Sequence, residues 1–169
     1  MSKNILHTSR LSLRQFKVND TAFIIELLNS PEWLKFIGDR NVRTTEQALA
    51  YLENGPFKSY QENGFGLWLV ELKQTSQPIG ICGLLKRDYL ENPDIGFAFL
   101  PMFMNSGYAY EIVHATMVYA NTELKLSKIS AIVLSENVRS IRLLEKIGLH
   151  FVETLVTPGS DVELQVYSS

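Results

Sequence analysis

Between Asp94 and Glu123 a strand, a tight turn and a helix follow one another, and this unit limits how the chain can fold. Residues 95–100 (IGFAFL) form a continuous apolar run bounded by Pro93 and Pro101, the pattern of a buried strand. Ala109, Ile112, Val113, Thr116, Met117, Ala120 and Leu124 recur at helical spacing and predict an amphipathic helix with one apolar face. Residues 128–134 are a second β-rich run, so strand, crossover helix and strand imply a parallel pair with a right-handed connection. Between the first strand and the helix lies Met104-Asn105-Ser106-Gly107-Tyr108-Ala109. Gly107 tolerates positive φ, and Asn105 is among the other residues that adopt it most readily. Such a turn at a helix start gathers backbone N–H groups at the positive end of the helix dipole, which suits a phosphate. The same pattern also fits an ordinary strand-to-helix turn.

The remaining elements are read from periodicity and punctuation. Residues 10–16 alternate polar and apolar, as a half-buried first strand does. Asn19 and Asp20 can cap a helix through Ala22, Ile25 and Leu28, with Pro31 ending or following it. Residues 32–38 are aromatic-rich with few regular signals, and Trp33 and Phe36 either fill the core or line a substrate groove. Thr44 to Gln47 fits a capping box that starts a helix to about Tyr60, interrupted at Gly55-Pro56. Runs 65–72, which holds Trp68, and 79–86 read as a hairpin across the polar turn 73–78. Ser135-Glu136-Asn137 opens a helix with Ile141, Leu144 and Ile147 on one face and Gly148 at its stop. Runs 151–156 and 162–167 flank Pro158-Gly159-Ser160-Asp161, a final hairpin. The order is β-α-α-β-β-β-α-β-α-β-β. It predicts an α/β (α+β) fold over 1–169 as one domain, with a mixed central sheet of about seven strands and about four flanking helices. A ligand then binds beyond the carboxyl end of the strand 95–100, beside the Asn105–Ala109 turn.

Composition narrows the function classes. With 169 residues, 46% hydrophobic and 20% charged, the chain can bury one ordinary core. A net charge of -2 gives no basic footprint for nucleic acid. Cys82 is the only cysteine and lies in an apolar run, so it reads as a small core residue and no intramolecular disulfide is possible. No apolar run reaches the ~20 residues that span a bilayer, and MSKNILHTSR has no signal-peptide h-region. A soluble, cytoplasmic protein that binds no membrane is the expectation.

Several motifs together resemble the GNAT N-acetyltransferases. Met104-x-x-Gly107-x-Ala109 is similar to their Gln/Arg-x-x-Gly-x-Gly/Ala pyrophosphate loop. Asn137-x-x-Ser140-x-x-x-Leu144-x-x-x-Gly148 resembles the second family motif, Asn-x-x-Ala/Ser-x-x-x-Tyr/Leu-x-x-x-Gly-Phe. Asp94-Ile95-Gly96-Phe97, Gly107-Tyr108-Ala109 and the opening T-x-R-L-x-L-R look like the RimJ/RimL branch, which acetylates ribosomal-protein N-termini. Met104 stands where the family has Gln or Arg, and Asn105 where this branch has Gly. The resemblance implies that acetyl-CoA threads a splay between the strands 95–100 and 128–134. It assigns the cosubstrate to Phe97, Phe99, Leu100, Met104, Asn105, Ser106, Gly107, Tyr108, Ala109, Asn137 and Ser140, with no metal. Trp33, Phe36 and Trp68 are candidates for the acceptor side. The implied partners are an acyl-CoA and an amine acceptor, a protein N-terminus or a small molecule, with the chain a monomer or homodimer.

Acetyl transfer to nitrogen needs a neutral amine, a held thioester and protonation of the leaving thiolate. No histidine falls at a motif position, so His7, His114 and His150 are read as structural or exposed. Asp94 is a candidate for binding the amine or removing its proton through water, or is a solvated strand-end charge. Leu144 replaces the tyrosine acid of many GNAT enzymes, and the resemblance gives Ser140 the leaving-thiol role, its alternative being a hydroxyl bonded to its own helix. Asn137 can hold pantetheine amides, cap the helix, or both. An α-amine at pKa ~7.7–8.0 needs less help than a lysine at ~10.4, so an α-amino acceptor is expected. The rival reading is a CoA-binding module that has lost transfer activity.

Overall fold

The computed structural model describes residues 2–169. Eight strands form one mixed sheet: β1 (Asn4–His7), β2 (Leu11–Arg14), β3 (Leu67–Leu72), β4 (Pro78–Leu85), β5 (Asp94–Phe99), β6 (Ser130–Val133), β7 (His150–Val156) and β8 (Glu163–Ser168). Their spatial order is β1-β2-β3-β4-β5-β6-β8-β7, antiparallel except for the β5–β6 pair. The strand that the sequence reading lacks is β1, which pairs with β2 and makes the N-terminal segment a hairpin. Its four residues are too few to show a period.

The helices are α1 (Thr21–Leu28), α2 (Pro31–Phe36), α3 (Thr45–Leu52), α4 (Lys58–Asn63), α5 (Tyr108–Thr122) and α6 (Val138–Lys146). Pro31 follows α1, as expected, and also starts α2 at its first turn, where a missing N–H costs nothing. Gly55-Pro56 interrupts the regular α-helix, as expected, without ending the helical course of the chain. A π-helical stretch, Glu53–Phe57, joins α3 to α4, and its wider turn accommodates the donor that Pro56 lacks. The capping box at α3 is present, with Gln47 N–H donating to Thr44 Oγ1 at 3.2 Å and Gln47 Oε1 accepting from Thr44 N–H at 3.1 Å.

The sheet has two apolar faces because side chains alternate along a strand. Trp68 and Val70 of β3 pack with Ile112 and Val113 of α5 and Leu144 of α6 in one core cluster. Leu69, between them, packs with Ile24 and Leu27 of α1, Trp33 of α2 and Leu52 of α3 in the other. Arg14 ties β2 to the start of α1. Its Nη1 and Nη2 donate to both Asp20 carboxylate oxygens at 2.9 and 3.0 Å, and its Nε donates to Glu71 at 3.0 Å. All three side chains are largely buried, and their hydrogen bonds compensate the desolvation.

The β5–β6 pair positions the site. These parallel strands share a single register pair, Asp94 with Ser130, at their amino ends. Beyond it they diverge, and Gly96, Phe97 and Ala98 in the middle of β5 are only half-buried although the run is wholly apolar. The splay implied by the family resemblance is therefore present, closed at Asp94 and open toward the turn that starts α5.

Candidate active site

The turn after β5 has the conformation its residues favour. Asn105 and Gly107 both adopt positive φ, +62° and +81°. Gly107 is the N-cap of α5 and its carbonyl accepts the first helical bond, from Glu111 N–H at 3.1 Å. Among the described residues, the backbone N–H groups from Asn105 through Tyr110 donate to no protein acceptor. A run of free donors at the start of a 15-residue helix is a cradle for an anion. Phosphate groups thus fit the residues present.

A cavity of about 1460 Å³ lies along the splay and continues under α2, α3 and α4. Phe97, Phe99, Met104, Asn105, Tyr108 and Ala109 line one half, together with Asn137 and Ser140 of the α6 start. Ser106 and Gly107 do not line it. They form the back of the turn, where Ser106 O accepts from Arg10. Leu100 is not in the cavity wall either. Its side chain turns into the cluster beneath α1 and α3, because residues 99 and 100 face opposite sides of the chain. Where the family has Gln or Arg, Met104 receives Arg139 Nη1 on its sulfur at 3.1 Å, so a cation of α6 lies over the turn.

Asn137 divides its side chain between two tasks. Its Oδ1 accepts from Ser140 N–H at 3.3 Å and caps α6, which leaves the Nδ2 donors without a protein partner. Ser140 Oγ makes no hydrogen bond among the described residues, so the backbone-bonded alternative for this hydroxyl is not realised. Leu144, at the position of the family's tyrosine, is buried in the core at 2% exposure.

The other half of the cavity carries charge. Asp94 is 1% exposed, and its Oδ1 accepts from Arg87 Nε at 3.0 Å. Burial raises the Asp94 carboxyl above its usual value, and the Arg87 charge opposes this. Arg87 also donates to Tyr89 Oη at 3.1 Å. Tyr51 adds a phenol to the same wall. Burial pushes it above its ordinary value against the pull of Arg40 and Arg87, so it keeps its proton at neutral pH. Trp33 and Phe36 of α2 line this half, whereas Trp68 does not. Trp68 is 1% exposed and packs edge-on against Tyr119 of α5, at 5.9 Å between ring centroids, so it belongs to the core. Among the described residues no histidine lines the cavity. Cys82 lies in the core, its thiol pushed up to about 12 by burial, with Sγ 3.3 Å from Thr116 Oγ1.

Residues 10–150 match the acetyltransferase (GNAT) domain family. The chain belongs to the GNAT acetyltransferases. It is an acetyl-CoA-dependent N-acetyltransferase, and the N-acetyltransferase YoaA of Bacillus subtilis is 30% identical to it over 97% of this chain and 95% of YoaA. Solved acetyltransferase structures share its fold, two of them as follows. The spermidine N-acetyltransferase of Vibrio cholerae, in complex with CoA and spermine, superposes with a TM-score of 0.77 at 23% identity and covers 96% of each chain. The apo RimL ribosomal alpha-N-protein acetyltransferase superposes with a TM-score of 0.83 at 11% identity, over 100% of this chain and 94% of its own. At these identities the likeness shows the fold.

Within this GNAT frame, four side chains at or beside the site are given no role in the sequence reading. Arg87 and Tyr51 come from a loop and a helix far apart in the chain, and only the fold brings Arg87 to Asp94 and Tyr51 to the same cavity wall. Arg139 lies inside the second motif, at a position the motif leaves free. Arg10 lies inside T-x-R-L-x-L-R, and its spacing does not distinguish it from Arg14.

Proposed function

We propose that this GNAT enzyme acetylates α-amino groups, as the RimJ/RimL-like branch does, by direct attack of the amine within a ternary complex. The observation that carries the reading is that, among the described residues, no histidine lines the cavity and its one deeply buried carboxylate, Asp94, is paired with Arg87. Of the other two carboxylates in the wall, Glu62 pairs with Lys58 at 3.9 Å and Glu32 stands on α2. A site of this kind suits an amine already partly neutral near pH 7. A lysine amine, about 2.5 pKa units more basic than an α-amine, has only ~1/300 as much neutral form there.

The charge of the wall favours the same acceptor over a polyamine. Lys35, Arg40, Lys58, Lys86, Arg87 and Arg139 line the cavity against Glu32, Glu62 and Asp94. A polycation meets like charge in such a wall, and a single α-ammonium beside Asp94 meets much less.

Roles follow from the free donors and acceptors. The amides of residues 105–110 hold the pyrophosphate of acetyl-CoA, which supplies the activated acetyl group. Asn137 Nδ2 donates to the pantetheine arm. Asp94 Oδ2, which has no side-chain partner, accepts a hydrogen bond from the amine and orients it. Ser140 Oγ, free of other bonds, donates to the departing sulfur. Most of the rate comes from positioning.

The test is the pH dependence of kcat/KM on an N-terminal peptide, on the same peptide N-blocked with one lysine, and on spermidine. The α-amine should react fastest, with a rate that rises with pH and levels off near the acceptor's own pKa. A faster lysine peptide, or a plateau below pH 7, would reveal a base and overturn the reading. Preferential turnover of spermidine would overturn it in favour of a polyamine acceptor.

A further inference from the structure

We infer that Arg10 is a positioning residue for the cosubstrate: from behind the turn, together with Glu111, it locks the amides of residues 105–110 in the orientation that receives the pyrophosphate. The inference rests on the reading of that turn as the phosphate site.

The contacts converge on one guanidinium. Arg10 Nε donates to Glu111 Oε2 at 2.7 Å and Nη1 donates to the carbonyl of Ser106 at 3.0 Å. The Arg10 backbone N–H donates to Glu111 Oε1 at 2.9 Å, and Thr8 Oγ1 donates to the same oxygen at 2.6 Å. The guanidinium also lies over the ring of Tyr108, 4.4 Å from its centroid. The turn between β1 and β2 is thereby fastened to the first turn of α5 and to the peptide just before Gly107. Partial burial works to raise the Glu111 carboxyl, but the hydrogen bonds from Thr8 and Arg10 outweigh it and hold the group below its usual range. Glu111 is therefore ionised at neutral pH, and the arginine faces a full negative charge.

The geometry of a peptide bond supplies the rest. In a planar trans peptide the C=O and N–H point in opposite directions. No peptide bond in the described chain is cis. With the Ser106 carbonyl held on Arg10, the Gly107 N–H must point the other way. Arg10 does not line the cavity, whereas Asn105, Tyr108 and Ala109 on either side of that peptide do. The anchored carbonyl thus turns its partner amide away from the clamp and toward the cosubstrate side. The side chain matters because Asn105 and Gly107 occupy αL conformations that short peptides visit only part of the time. An unfastened turn would present its amides in a mixture of orientations, and binding would carry the ordering cost. Arginine suits the task because its planar fork reaches a carboxylate and a carbonyl at once, which a lysine ammonium does in a less fixed geometry.

The experiment compares wild type with Arg10→Ala, Arg10→Lys and Gly107→Val in two assays. One is the calorimetric Kd for CoA. The other is turnover of S-acetylpantetheine, a thioester donor without the pyrophosphate. Gly107→Val tests the turn itself, since a β-branched residue does not sit at φ +81° without strain. The expected result for Arg10→Ala is a rise in Kd for CoA of about tenfold, the scale of one lost charge-assisted hydrogen bond. Arg10→Lys should fall between it and wild type, and turnover of S-acetylpantetheine by Arg10→Ala should stay within about twofold of wild type. Equal losses with both donors would make Arg10 a general structural residue and overturn the inference. Wild-type CoA affinity in Arg10→Ala, with affinity lost in Gly107→Val, would overturn the clamp while keeping the phosphate turn. Wild-type affinity in Gly107→Val would remove the phosphate-turn reading and the clamp with it.

Discussion

The two halves of the cavity are built by different means. The half proposed for the cosubstrate joins a backbone feature, the free N–H groups of residues 105–110 with two positive-φ residues at a helix start, to side chains of β5 and of the α6 start. The acceptor half is side chain: Asp94 from β5, Arg87 and Tyr89 from the loop before it, Tyr51 from α3, and Trp33 and Phe36 from α2. On the proposed assignment, backbone donors bind what every acyl-CoA shares, and side chains drawn from distant elements, which can change one at a time, set the acceptor.

Substitutions can separate the halves from each other and from the core between them. The largest expected effect is on stability. Trp68→Ala should cost about 3–5 kcal/mol, because its ring is fully buried against Tyr119. Chemical denaturation measures this, and a cost under about 1 kcal/mol would contradict the core assignment. Next is Ser140→Ala. It should lower kcat roughly tenfold and leave the affinity for acetyl-CoA nearly unchanged, as expected for an interaction made in the transition state. Equal kcat in the two proteins would return Ser140 to a structural role.

Asp94→Asn sharpens the comparison from the acceptor side. As an orienting group paired with Arg87, Asp94 should contribute less than tenfold to kcat/KM, whereas a general base contributes roughly 10²–10⁴-fold. A loss in the upper range would make Asp94 the base and weaken the case for an α-amino acceptor. The smallest effect is expected at Asn137→Ala. The lost cap should reduce stability by ~1 kcal/mol, and the missing Nδ2 donor should raise the Kd for CoA a few-fold. A stability loss with no change in Kd would assign Asn137 to the cap alone.

The same division explains what the sequence could reveal. The conformation of the turn before α5 was legible because Asn105, Gly107 and the helical spacing after them are local signals for local geometry. The Asn137 cap and the Ser140 position were legible for the same reason. Trp68 was misplaced because an aromatic in a strand looks alike from either side, and only the packing of α5 shows which side is core. Arg87 and Tyr51 carried no signal, since 36 residues separate them and nothing local marks their place in one cavity wall. Two arginines in T-x-R-L-x-L-R looked equivalent. The fold buries Arg14 on Asp20 and Glu71 and leaves Arg10, about half exposed, on the phosphate turn. The β1 strand escaped because its signal is too short, whereas the interruption at Pro56 was legible and only its π-helical form was not.

The central claim is that backbone amides of residues 105–110 receive the pyrophosphate. Amide NMR shifts of the enzyme titrated with CoA and, separately, with pantetheine test it most directly. The account predicts that the amides of Asn105 through Tyr110 shift strongly with CoA and little with pantetheine, while the Asn137 side-chain amide shifts with both. Equal shifts of residues 105–110 with both ligands, or no shift there with CoA, would contradict it.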